Sequence, residues 1–213
     1  FIPTPRTRVQ RAPQRGVYDE QTVYDILDKA YICHVGFVVD TQPYVIPTIH
    51  VRIDDHLYIH GSAASRMVST LKQGVEACIT VTLLDGLVLA RSAYHHSMNY
   101  RSVVALGVLE EVTDRKERLS VLNALVESVV PGRSADARPP NEQELKATTL
   151  LSMPLTEVSA KVRTGPPSDD EDDMTLPVWA GVIPLTLQPG PPESDPLLNP
   201  NIGLPGYIHN LDG

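Results

Sequence analysis

The run Leu57-Tyr-Ile-His-Gly-Ser-Ala-Ala-Ser-Arg66 places an imidazole, two hydroxyls and a guanidinium around one glycine. It reads as a strand ending on His60, a turn at Gly61 and a helix from Ser62 to Gln73. The first N–H groups of a helix lack intrahelical partners and sit at the positive end of its dipole, so they form a seat for an anion. Arg66 adds a planar cation whose fork matches phosphate. Small side chains from Gly61 to Ala64 let a bulky ligand approach the backbone. A bound phosphate ester fits this pattern. So does an ordinary helix start with a serine as N-cap.

The elements around this run are mostly strands. Asp19 caps a helix with Val23, Ile26, Leu27 and Ala30 on one face. Ile32–Val39, Tyr44–Ile53 and His56–His60 are β-branched or aromatic runs joined by short polar turns, as in hairpins. Glu76–Leu84 and Leu87–Tyr94 flank Asp85-Gly86, a strong hairpin signal, and Tyr100–Val112 is a further strand. Asp114 and Glu117 read as a capping box opening a helix with Leu119, Leu122, Leu125, Val126 and Val129 as its stripe. A shorter helix near 142–149 and a strand from Leu150 to about Val162 follow. About six strands in series with inserted helices predict an antiparallel barrel, not a βαβ sheet.

The domain reading is a flexible basic arm over 1–17, one domain over 18–190 and a Pro/Gly-rich extended tail over 191–213. Arg6, Arg8, Arg11 and Arg15 charge the arm, and Ser168–Asp173 is an acidic, solvated run. The two segments could pair across a dimer. A net charge of −8 argues against a general nucleic-acid binder, and no apolar run reaches the ~18 residues of a membrane span. Cys33 and Cys78 are isolated within apolar runs and read as buried thiols of a reducing, cytoplasmic setting, not a disulfide or a metal site. His95-His96 would point to opposite faces of a strand, which argues against shared metal ligation. His50 and His60 lie in the hairpin region and could converge.

Tyr58-Ile-His-Gly61, Ser65-Arg66, Tyr100-Arg-Ser-Val-Val-Ala-Leu-Gly107 and Pro177-Val-Trp-Ala-Gly-Val-Ile-Pro184, in this order, resemble the flavin-nucleotide-binding split-barrel family. That is the superfamily of pyridoxamine 5′-phosphate oxidase, with the nitroimidazole-resistance (Nim-type) branch most similar. The resemblance implies a six-stranded antiparallel split β-barrel, mainly β with inserted helices, forming a homodimer with FMN between the subunits. It puts the FMN phosphate at Ser65 and Arg66, beside Gly61. The backbone edge of Val45, Ile46, Pro47 and Thr48 would face the isoalloxazine ring. Arg101 and Ser102 would lie near the flavin, and Trp179 would approach it from the other subunit. His60 would sit beside flavin or phosphate, as a hydrogen-bonding group or as the one catalytic proton donor.

One departure matters. The oxidases carry a basic R-x-V-L-x-K run where this chain has Tyr44-Val-Ile-Pro-Thr-Ile49, which argues against vitamin B6 oxidation. The expected activity is reduction of a small, nitro-aromatic acceptor with electrons from NAD(P)H, the flavin supplying the redox chemistry. The alternatives are a non-enzymatic flavin carrier or sensor, and a split barrel that binds haem or a deazaflavin.

Overall fold

A computed structural model describes residues 1–212. The elements in chain order are β1 (Gly16–Val17), α1 (Glu20–Lys29), β2 (Ile32–Val39), β3 (Gln42–Ile53), β4 (His56–Ser62), α2 (Arg66–Leu71), β5 (Glu76–Leu89), β6 (Ser97–Val108), β7 (Glu110–Glu111), α3 (Arg115–Val129), α4 (Glu142–Ala147), β8 (Thr148–Pro154), β9 (Glu157–Arg163) and β10 (Gly181–Pro184). All strand pairings are antiparallel, in the order β1-β9-β6-β5-β2-β3-β4-β8-β7, with β10 added to β5.

β6 and β7 are separated only by Leu109, so nearly one line of chain pairs β5 at its start and β8 at its end. The lines β2, β3, β4, β8, β6–β7 and β5 therefore return on themselves as a barrel. Its hydrogen bonding does not run unbroken around the ring, so the sheet is split and not closed. Inside lie Val35, Leu57, Ile59, Ile79, Val103 and Met153, plugged by Ile26 of α1 and Leu71 of α2. A second cluster, with Tyr58 and Leu150 under Val121 and Leu125, seats α3 on the outside. Burial of these aliphatic side chains is the main driving force for the fold.

Local signals hold where local contacts decide. The Asp19 carboxylate accepts from the Thr22 N–H at 2.9 Å, and Val23, Ile26 and Leu27 are buried. Asp40 and Thr41, both at positive φ, turn β2 into β3.

Five expectations are corrected. Asp85-Gly86 is no hairpin: β5 runs through it with a bulge between Leu84 and Gly86. Arg101 holds the Asp85 carboxylate, and a Cβ on Gly86 would lie 3.0 Å from Val182 of β10, so neighbouring strands press the dipeptide flat. The run from Leu150 to Val162 is two strands, β8 and β9, on different parts of the barrel. Of the predicted α3 stripe only Leu125 is buried, and the other buried residue, Val121, lies outside that stripe. Asp114 caps Glu117, but the Glu117 carboxylate accepts from Tyr58 instead of closing a capping box. Finally, the N-terminal arm is seated. Thr4 donates to Glu157 at 2.8 Å, the Val9 N–H donates to the Tyr18 hydroxyl at 2.8 Å, and β1 pairs β9.

Candidate functional site

β3 and β4 part company at His60. Their pairing ends at His50 opposite Ile59, after which β4 continues with β8 as far as Ser62. Over residues 42–49, β3 has β2 on one side and no strand on the other. Pro43 and Pro47 lie in this stretch, and proline is tolerated on a strand with a free edge. Val45 (64% exposed), Ile46 and Ile49 are open to solvent. Arg66, the first residue of α2, reaches to this strand, its guanidinium carbon 4.7 Å from the centroid of the Tyr44 ring. Tyr44 in turn stacks on Phe37, with centroids 5.7 Å apart. The β4–α2 turn and the free edge of β3 thus meet at the split in the barrel, with His60 on the strand that leads into the turn.

The turn differs from the expected anion seat in who donates. The helix opens at Arg66, not Ser62. Ser65 is its N-cap, its hydroxyl accepting from Val68 N–H at 3.2 Å. Ala63 donates to the Ala147 carbonyl, Ala64 to the Ser62 hydroxyl and Ser65 to the Ser62 carbonyl. The free donors of the first turn are therefore the Arg66 and Met67 amides and the exposed Arg66 side chain, which has no carboxylate partner among the described residues. Gly61 permits the close approach of α2 to β4: a Cβ there would lie 2.9 Å from Val68 Cγ2.

His60 is half-buried, and its Nδ1 has no hydrogen-bond partner among the described residues. Burial holds its pKa below the ordinary imidazole value. It therefore stays neutral near pH 7, which favours a hydrogen-bonding role over proton donation. His50 is also lowered by burial, with Nε2 2.9 Å from the Leu27 carbonyl. Because folding depresses both values, the unfolded chain takes up protons first as the pH falls through about 6.5, and stability declines there. We expect His60→Gln to flatten this decline. Urea midpoints between pH 7.5 and 5.5 measure it, and a slope equal to wild type would show that His60 is not the titrating group.

The remaining predicted residues divide. Arg101 and Ser102 project to opposite faces of β6. Arg101 grips Asp85 through two bonds of 2.8 and 2.6 Å, which lower the Asp85 pKa and raise that of Arg101. Its charge is already neutralised, so it does not stand free for a phosphate. The Ser102 hydroxyl donates to the Lys161 carbonyl at 3.3 Å. Trp179 is 66% exposed at the start of β10, its indole against Gly181, and is no core tryptophan. Gly61, Ser65 and Arg66 lie at the turn that reaches the β3 edge of Val45, Ile46, Pro47 and Thr48, and His60 precedes that turn on β4.

Sequence reasoning missed Tyr44 as the platform under Arg66 and Asp85 as the partner of Arg101. Only the Arg66–Tyr44 spacing across the split reveals the first, and no local pattern signals it. The acidic run is not simply solvated either. The Asp169 side chain is 1% exposed, bound by Arg91, and Asp170 lies 3.2 Å from His95. Arg6 of the arm pairs with Glu76 and Glu157 of its own chain, which removes these charges from the expected exchange across a dimer.

The profile of the family described as pyridoxamine 5′-phosphate oxidase matches residues 19–162. No curated protein matches the sequence. Among solved structures, the flavocytochrome Anf3 from Azotobacter vinelandii is 42% identical, with a TM-score of 0.92 over 98% of this chain and 97% of that one. The FAD and heme binding protein from Mycobacterium smegmatis is 34% identical, with a TM-score of 0.89 over 93% and 98%. A candidate 5-nitroimidazole antibiotic resistance protein from Bacteroides thetaiotaomicron, 23% identical with a TM-score of 0.59 over 69% and 86%, shares the fold.

Proposed function

The chain belongs to the pyridoxamine 5′-phosphate oxidase family, and from that premise we propose that it is a flavin- and haem-binding redox protein. The observation that carries the flavin reading is the split itself. It joins a free strand edge to Arg66, which has no carboxylate partner among the described residues, and the adjoining strand carries the buried imidazole nitrogen of His60, unpartnered among the same residues. In this reading Arg66 and the amides of Arg66 and Met67 hold the phosphate. The edge at Val45–Thr48 lies along the ring system, and His60 donates or accepts one hydrogen bond. Flavin, when bound, supplies hydride and single-electron chemistry. The protein contributes orientation, exclusion of water and a neutral imidazole.

FAD is preferred to FMN because a protein 34% identical over 93% of this chain is named for FAD. The haem reading comes from the same two relatives. A haem requires an axial ligand, commonly an imidazole, beside a surface that can cover the ring. His34 stands among the exposed apolar residues Ile32, Val38, Val45 and Ile49 on the outer face of β2 and β3. His96 has its Nδ1 3.0 Å from the Ser92 carbonyl, which leaves Nε2 bare when neutral. Both residues fit a ligating role.

The outer face of β2 and β3 is also where we place a homodimer contact, since a contiguous apolar patch marks an interaction surface. Trp179 is exposed and able to meet a second copy. Reduction of a small acceptor by NAD(P)H is the activity proposed for this site; no motif for the donor stands out in the sequence.

The absorbance spectrum of the purified protein tests the reading, and size-exclusion chromatography with light scattering tests the dimer. We expect flavin bands, a Soret band and a mass twice that of the chain, with FAD released on denaturation. Anaerobic bleaching by NADPH followed by acceptor turnover would separate an enzyme from a carrier. A colourless monomer that takes up neither added flavin nor haem would overturn the proposal.

A further inference from the structure

A second cavity lies away from the split, at the end of β6 and β9, where the arm crosses the sheet. It measures about 340 Å³ and is lined by Arg11, Arg15, Arg163, His95, His96 and neighbouring hydroxyl-bearing residues, with no carboxylate among them. Three arginines around one cavity are unexpected in a chain of net charge −8. Arg11 and Arg15 have no carboxylate partner among the described residues. Two acids of the following loop are bound to other side chains, Asp169 to Arg91 and Asp170 to His95 of the cavity wall.

Arg163 is 7% exposed and is held by the Asn99 side chain and the Gly165 and Pro166 carbonyls, yet its Nε has no partner. Burial and the nearby Arg15 charge both lower its pKa, so the cations crowd one another. A fixed backbone holds them there. Ala12, at positive φ, starts the turn Pro13–Arg15, and β1 then pins Gly16 opposite Lys161 of β9. Clustered, unneutralised guanidinium groups lose energy to mutual repulsion and to burial, and an oxyanion relieves both.

We propose that this cavity is an oxyanion-binding site, in which Arg11, Arg15 and Arg163 receive two adjacent oxyanion groups of one ligand. Two sources carry that chemistry: the diphosphate of a dinucleotide and the twin propionates of haem. Planar guanidinium forks suit either, and His96 adds a donor when protonated or a ligating Nε2 when neutral. The site stands on the arginine cluster and not on the flavin reading. The source assignment alone depends on which cofactors the protein holds.

The test is calorimetric titration of the full-length protein, freed of any flavin and haem that its spectrum shows and with its fold checked by its thermal midpoint, using inorganic pyrophosphate as the probe at low salt. Wild type should bind, and Arg11→Ala/Arg15→Ala should weaken binding at least about 10-fold, as expected for charged hydrogen bonds. A variant lacking two charges elsewhere, Lys116→Ala/Lys146→Ala, should bind as wild type. Competition of pyrophosphate with FAD identifies the diphosphate source. Competition with haem, absent for haem dimethyl ester, identifies the propionates. No binding by wild type, or equal weakening in both double variants, would overturn the site even if the spectrum shows flavin.

Discussion

Replacing Arg66 by alanine is expected to weaken flavin retention about 10- to 100-fold while leaving the thermal midpoint unchanged. The range follows from a hydrogen bond to a charged group, worth about 1.5–3 kcal/mol. Arg66 suits this role because nothing else claims it. It is exposed, lacks a carboxylate partner among the described residues, and is steered by the Tyr44 ring 4.7 Å below it. Its loss touches no buried contact, so stability should hold. Arg66→Lys should restore only part of the affinity, because an ammonium cannot offer the planar fork or stack on the ring as well. Flavin fluorescence on titration measures the effect. Equal affinity in wild type and Arg66→Ala would move the phosphate to another part of the molecule.

The second large effect is expected from Gly61→Val, which should lower stability by about 1–3 kcal/mol and strip flavin from the protein. Gly61 has no need of positive φ; its requirement is space. Even one Cβ would sit 2.9 Å from Val68 Cγ2 and 3.6 Å from the Ser65 hydroxyl. A branched side chain must therefore push α2 off β4. That motion breaks the Ser65 cap on Val68 and carries Arg66 away from Tyr44. Gly61→Ala should show the same two losses in smaller measure. Urea midpoint and bound flavin per chain report them separately. Wild-type values of both in Gly61→Val would show that the close approach is dispensable.

These two residues were legible in the sequence because the turn that holds them is contiguous. His60, Gly61, Ser65 and Arg66 lie within seven positions, so strand, turn and cap signals all act locally. Asp19 and the α1 stripe were legible for the same reason. Asp85-Gly86 misled because its turn preference is weak against ladders on both sides of β5, where β6 and β10 hold the chain extended. Arg101 read as a residue near the flavin because its partner lies across a strand, sixteen residues away. The split-barrel resemblance supplied the architecture, whereas periodicity alone left Leu150–Val162 as one strand. The cluster of Arg11, Arg15 and Arg163 was out of reach altogether. Arginines in an arm read as solvated charge until the arm is seen docked.

The free edge of β3 has a cost that its two prolines offset. Exposed N–H and C=O groups along an unpaired strand are a template for another chain, and an apolar edge left open invites strand addition and aggregation. Pro43 and Pro47 lack the N–H that such a ladder needs. The opening can thus remain ready for a ligand without recruiting a foreign strand, and the protein emptied of cofactor is guarded by the same residues that shape its cleft.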